Sequence, residues 1–279
     1  MQNFKLNETE ILSNQDWTFP TNTAYGPGRF KEIGDQCNKF GIRNPLIVTD
    51  NGSTKLPFIN ELKELLLKAN IKSDLFSEIS PNPREDEISV GCKKYKDGNH
   101  DSIIAIGGGS AMDGGKLICL TANNDIPLRD FEFELTPPKI SKDNPFPKII
   151  TIPTTAGTGA ETEITAMVTY LKEGMKFCMW HPDVRPVLAL VDPELTLGLP
   201  SSLTAWTGVD AMVHAIEGYC VPGFHPLCDG SALESLSLIS KSLYLAVEEP
   251  KNLIARGGMH IGSYLGGIAF LKGLGNVHA

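Results

Sequence analysis

The sequence predicts an α/β N-terminal domain followed by an all-α C-terminal domain. Three observations carry that expectation. Short β-branched runs alternate with helical stretches through the first two thirds of the chain; three glycines at 107–109 interrupt a buried-strand pattern just before a helix start; and after residue 203 the texture is almost purely helical.

The elements follow in order. Residues 1–20 alternate polar and charged side chains with no apolar core, so no signal segment is expected, and no run of eighteen apolar residues suggests a membrane span. Strands are expected at 44–49, 102–106 and 148–155, with helices at 59–69 and 115–121 between them, an alternation that implies a parallel sheet. Residues 137–147, with prolines at both ends, read as a surface loop. Two strand patterns at 164–170 and 175–180 precede a buried-strand pattern at 186–191. Beyond Asp192-Pro193, helices are expected at 208–219, 229–247 and 253–271, with connections near Gly223 and Pro250. The boundary is placed near residue 195, giving domains 1–195 and 196–279.

With 25 basic and 33 acidic residues, the chain carries a formal charge of -8 and no run of like charge. Nucleic acid and anionic membranes are therefore poor partners. Cys37, Cys92, Cys119, Cys178, Cys220 and Cys228 show no C-x-x-C spacing, which suits reduced thiols in the cytoplasm.

The strongest chemical signal is 101–116, where a strand pattern runs into Gly107-Gly108-Gly109-Ser110. Glycines let backbone N–H groups close on an anion at the positive end of a helix, so nucleotide binding is favoured over a plain tight turn. Ser110 is expected as N-cap and Asp113 in the first turn. Asp50 ends the first expected strand, where a carboxylate can take two hydrogen bonds from an adenosine ribose; the alternative is a solvated turn residue before Asn51-Gly52. Because Asp50 precedes the glycines, the order is not that of the usual dinucleotide fingerprint. Thr154, Thr155 and Thr158, interspersed with Gly157 and Gly159, offer hydroxyl donors after another strand, or simply form a turn.

Asp210 and His214 are four apart on an expected helix, one turn from each other on one face. That spacing suits two ligands of one metal ion, but on this motif alone a surface pair or a satisfied buried histidine is the favoured reading. Among the other histidines only His278, in a glycine-flanked stretch, has a context that can face the pair. His100, His181, His225 and His260 read as loop or surface residues, and a zinc site from His225 and Cys228 lacks further ligands.

Taken together, Gly-Gly-Gly-Ser-x-x-Asp at 107–113, Pro-Thr-Thr-Ala-Gly-Thr-Gly at 153–159, Asp-Pro-Glu-Leu-Thr at 192–196 and Gly-Val-Asp-Ala-Met-Val-His-Ala-Ile-Glu at 208–217 resemble the iron-containing (group III) alcohol dehydrogenase family. The resemblance implies a dehydroquinate-synthase-like fold, with an NAD-binding α/β domain and a helical metal-binding domain. It implies interconversion of a small-molecule alcohol and its carbonyl compound, and a homodimer.

By the same resemblance, Asp50 meets the adenosine ribose and Asn82 lines the cofactor cleft. Gly108, Gly109 and Ser110 hold the pyrophosphate with Asp113 nearby, Thr154, Thr155 and Thr158 follow along the cofactor, and Lys176 lies near the nicotinamide ribose. Asp210, His214 and His278 are implied as ligands of Fe²⁺, with Zn²⁺ compatible with the same donors. In the family a second histidine, a fourth metal ligand and further helices follow the segment that begins at Val277. The helical domain is therefore expected to be incomplete here, with a three-ligand site. Two readings result: a metal-dependent NAD oxidoreductase, or an NAD-binding remnant impaired in catalysis. A metal-free reductase leaves the Asp210/His214 pair without a role.

Overall fold

The computed structural model describes residues 12, 14–17 and 21–278. Most of the 1–20 stretch, on which the absence of a signal segment was expected, lies outside these. Among the described residues no helix is long and apolar enough to cross a membrane.

In chain order the strands and α-helices are β1 (Gln15–Trp17), β2 (Thr23–Tyr25), α1 (Ile33–Phe40), β3 (Pro45–Asp50), α2 (Pro57–Lys68), β4 (Asp74–Ile79), α3 (Glu85–Asp97), β5 (Ser102–Gly107), α4 (Gly109–Ala122), β6 (Lys148–Pro153), β7 (Thr165–Tyr170), β8 (Met175–Trp180), β9 (Leu188–Val191), α5 (Ser201–Cys220), α6 (Pro226–Glu248) and α7 (Leu253–Ala269). They fall into two compact units. One comprises Phe30–Ile152 and Ile164–Leu190; the other comprises the described residues of Met1–Arg29, with Pro153–Glu163 and Val191–Ala279.

The first unit is the α/β domain. Its strands run in the order β9-β6-β5-β3-β4. β3 pairs in parallel with β5, Leu46 opposite Ile103 and Val48 opposite Ala105, and with β4 on its other side. Every residue of β5, and every residue of β3 before Asp50, is buried, because helices cover both faces and no alternation survives. β4 lies last in that order and buries only Phe76 and Ile79, three residues apart, which is why its Asp-Leu-Phe-Ser-Glu-Ile sequence gave no clear strand signal. α3 escaped for a related reason: it buries only Ile88, Gly91 and Tyr95 and is otherwise strongly charged. β7 and β8 form a separate antiparallel pair with Thr169 opposite Lys176. Lys116 of α4 is fully buried and donates its Nζ to the Thr165 carbonyl at 2.8 Å.

The helical unit packs α5, α6 and α7 around Ala156, Ala211, Ile239, Ala246, Ala255 and Met259, the alanines among them letting the helices approach closely. Ser235 donates to the Gly262 carbonyl at 2.6 Å across α6 and α7. The buried Arg256 guanidinium reaches the Pro250 and Leu199 carbonyls and the Thr204 hydroxyl, tying α7 to the start of α5.

Where the sequence suggested one cut near residue 195, the contacts interleave. Tyr264 shares a 2.8 Å hydrogen bond with Thr23, and Gly159, at φ +65°, lies so close to α7 that a Cβ there would sit 2.7 Å from the Gly267 Cα. Two segments from before the cut thereby join the helices.

Three histidines expected at loops or surfaces are buried. His100 contacts the Asn44 carbonyl through Nδ1, and His181 donates from Nε2 to the Pro138 carbonyl. His260 is fully enclosed in α7, where the glycine-rich helix lets its neighbours close over the ring, and among the described residues neither ring nitrogen has a hydrogen-bond partner. Burial, aided by Arg256, pushes its pKa down to about 3.

Candidate active site

In the α/β unit, β5 delivers the chain into Gly107, whose φ of +144° makes the turn; a Cβ there would stand 2.8 Å from that of Ala111 and 2.9 Å from Asp50 Oδ2. The turn therefore brings Asp50 and the glycines together. One detail differs. The N-cap is Gly108, whose carbonyl accepts from the N–H groups of both Ala111 and Met112, so the helix begins a residue before Ser110. Ser110 is thus the second helical residue, and Asp113 lies beyond the first turn. The N–H-lined start of α4 has the form of an anion cradle.

Asp50 is half-buried, its two carboxylate oxygens accepting from the N–H and hydroxyl of Ser53 at 2.9 and 2.8 Å, an orientation that leaves further lone pairs open. Desolvation pushes the Asp113 carboxyl up to about 6, against the opposing influence of Lys116, a hydrogen bond from the Met167 backbone, and Lys176. Asn82 and Lys176 line one open cleft of about 430 Å³ together with Ser80, Arg84 and Thr169. Glu87, in the first turn of α3, fixes this rim by accepting from the Ser80 and Arg84 N–H groups and the Ser80 hydroxyl.

In the helical unit the threonine loop is held by its glycines. A Cβ at Gly157 would lie 2.7 Å from that of Thr207, so backbone is pressed onto α5. Thr154 is buried, Thr155 is half-buried, and the Thr158 hydroxyl accepts from the Ala160 N–H at 3.3 Å.

The third cluster lies at α5. One helix turn places Asp210 and His214 on one face, and the 275–278 segment returns His278 to them. His278 Nε2 is 3.1 Å and His214 Nε2 3.8 Å from Asp210 Oδ1, and one donor atom from each residue lies within 4.8 Å of the others. The two imidazoles face each other at 4.2 Å between centroids. Burial holds the His214 pKa below the ordinary histidine value, with Asp210 opposing and His278 assisting, so the ring is neutral and able to donate a lone pair at neutral pH. Two imidazoles and one carboxylate gathered in this way suit a divalent ion of the iron or zinc type, whose bonds of about 2.0–2.2 Å bring ligand atoms roughly 3–4 Å apart.

Sequence reasoning gave no role to Glu217, although it lies seven residues after Asp210 and three after His214, on the same helix face. Its buried carboxylate accepts from His278 Nδ1 at 3.0 Å and from the N–H groups of Gly275, Asn276, Val277 and His278. Desolvation raises its pKa, but the hydrogen bonds from His278 and the backbone prevail and hold it below the ordinary carboxylate value.

The chain matches the family model for iron-containing alcohol dehydrogenase over residues 20–193 and that for the C-terminal part of the Fe-containing alcohol dehydrogenase family over residues 204–279. It is 38% identical over 261 residues to alcohol dehydrogenase 4 of Schizosaccharomyces pombe, covering 93% of this chain and 61% of that protein. It is 33% identical to the NAD-dependent methanol dehydrogenase of Bacillus methanolicus, covering 93% and 67%. The chain thus spans about two thirds or less of these relatives' lengths. A solved 1,3-propanediol oxidoreductase superposes with a TM-score of 0.87 at 31% identity, over 95% of this chain and 68% of that one. A sulfoacetaldehyde reductase from Bifidobacterium kashiwanohense, solved in complex with NAD+, gives 0.81 at 32% identity, over 93% and 66%. With both family models in register along the chain, it belongs to the iron-containing alcohol dehydrogenase family.

Proposed function

We propose that this chain acts in the cytoplasm as an NAD-dependent oxidoreductase that interconverts a small-molecule alcohol and its aldehyde or ketone, using a divalent ion, Fe²⁺ or Zn²⁺, at Asp210, His214 and His278. The observation that carries the reading is the convergence of one carboxylate and two imidazoles within 4.8 Å in a member of a family of alcohol dehydrogenases.

When bound, the ion supplies Lewis acidity toward the substrate oxygen and the nicotinamide supplies hydride. The protein's part is binding and orientation. Asp50 accepts from ribose hydroxyls and disfavours a 2′-phosphate. The Gly108-Gly109-Ser110 start of α4 offers N–H groups to the pyrophosphate, and Asn82 and Lys176 provide polar contacts along the cleft. Thr154, Thr155 and Thr158 contribute hydroxyls. Asp210 is one third exposed, leaving the donor cluster open on one side for the substrate oxygen.

Anaerobic oxidation of NADH with a short aliphatic aldehyde and added Fe²⁺, with and without chelator, tests this. Chelator-sensitive turnover is the expected result. NADH binding without turnover would instead identify an NAD-binding remnant.

A further inference from the structure

We propose that Glu217 is the positioning residue for His278, gathering the 275–278 segment and fixing the ring so that Nε2 is presented to the ion; this rests on the metal-dependent reading above. Residues 275–278 are exposed, Val277 to 70%, so apolar burial does not hold them in place. What holds them is one buried carboxylate. Glu217 Oε2 accepts from the N–H groups of Gly275, Asn276 and His278 at 3.3, 3.1 and 3.5 Å, while Oε1 accepts from the Val277 N–H at 3.0 Å. Successive N–H groups converging on one anion form a stiff concavity.

The remaining bond is the chemically directive one. His278 Nδ1 lies 3.0 Å from Glu217 Oε1, and an ionised carboxylate only accepts, so the proton sits on Nδ1. Nε2 is thereby the nitrogen left to face an ion: in this structure it hydrogen-bonds Asp210 Oδ1 at 3.1 Å, and a bound cation would take the place of that proton. A carboxylate behind a ligating histidine sets both its tautomer and its orientation. Because Glu217 shares the α5 face with Asp210 and His214, one rigid helix supplies two donors and the support for the third.

The test uses Co²⁺, followed by its visible ligand-field absorption, on the parent, Glu217→Gln, Glu217→Asp and His278→Ala. Glu217→Gln is expected to weaken Co²⁺ binding by about 10- to 100-fold, with Glu217→Asp recovering part of the loss and NADH fluorescence titrations unchanged. Unchanged Co²⁺ affinity in Glu217→Gln, with the band lost in His278→Ala, would overturn the role of Glu217 and leave the metal site standing. A parent without any band would overturn the metal-dependent reading and this inference with it. Should Glu217→Gln fail to fold, nitrogen NMR of the Zn²⁺-loaded parent decides: His278 with its proton on Nδ1 and the metal on Nε2 is expected, and the reverse arrangement or an averaged mixture overturns the proposal.

Discussion

At the end of β5 the groups that face a ligand are backbone N–H groups, fixed once Gly107 turns at φ +144°. At α5 they are three side chains, two on one helix and one from a segment 64 residues away. The first arrangement depends on what is absent, a Cβ, and on a helix start that exists whatever ligand binds. The second depends on rotamers, and each donor needs a support. Both units solve the support problem alike: Glu87 gathers the N–H groups of the Asn82 rim, and Glu217 gathers those of the His278 segment. A backbone site should therefore fail through strain, and a side-chain site through loss of single atoms.

The largest effect is expected from Asp210→Ala. Steady-state NADH oxidation should fall by more than the roughly 10- to 100-fold typical of outer-shell changes, while fluorescence titration finds NADH affinity intact. If both fall together, the two sites are not separable in the way the comparison holds.

The helical unit should also be the acid-sensitive one. His260 is held neutral with a folded pKa of about 3 against an ordinary 6.5, so its contribution to stability is present above pH 6.5 and is lost as pH falls toward 3. The full difference between the two values corresponds to about 5 kcal/mol. Asp113 has the opposite sign: with a folded pKa of about 6 against 3.8, its contribution is present below 3.8 and lost as pH rises through 6. Urea midpoints measured across pH should flatten between 6.5 and 3 in His260→Leu, and between 3.8 and 6 in Asp113→Asn.

Gly107→Ala comes next. A side chain at this φ costs about 1–3 kcal/mol, and the clash with Ala111 and Asp50 should move the turn enough to lose NADH binding even in folded protein, read by urea titration and fluorescence on one sample. Folded Gly107→Ala with parental NADH affinity would show that the cradle does not depend on this turn. The smallest effect is Lys176→Met, which should weaken NADH binding by up to about fivefold, the scale of one exposed charge contact.

The same contrast explains what could be read from the sequence. A backbone requirement writes itself locally, so the glycine turn and its place between strand and helix were legible from 101–116. Helix periodicity made the Asp210/His214 pair legible and contained Glu217 as well, had the face been followed one turn further. His278 was singled out only by its glycine-flanked context: no local rule links it to a residue 64 positions earlier, and its role as a ligand came from the family pattern. The N-cap at Gly108 was missed because Ser is the stronger cap by preference, whereas the carbonyl that closes the turn decides the start. The buried His260 was missed because helical periodicity cannot show that a glycine-rich helix will be enclosed on every side.

The interleaving of the two units has a consequence for the order in which the protein is made. The α/β unit has all of its residues once Leu190 is synthesised, but Thr23 must wait for Tyr264, 241 residues later, and Asp210 for His278. At about 5–20 residues per second the N-terminal segment emerges many seconds before its partner. The nascent chain can thus form its glycine turn on the ribosome, while Asp210, His214 and His278 come together only once His278 has emerged.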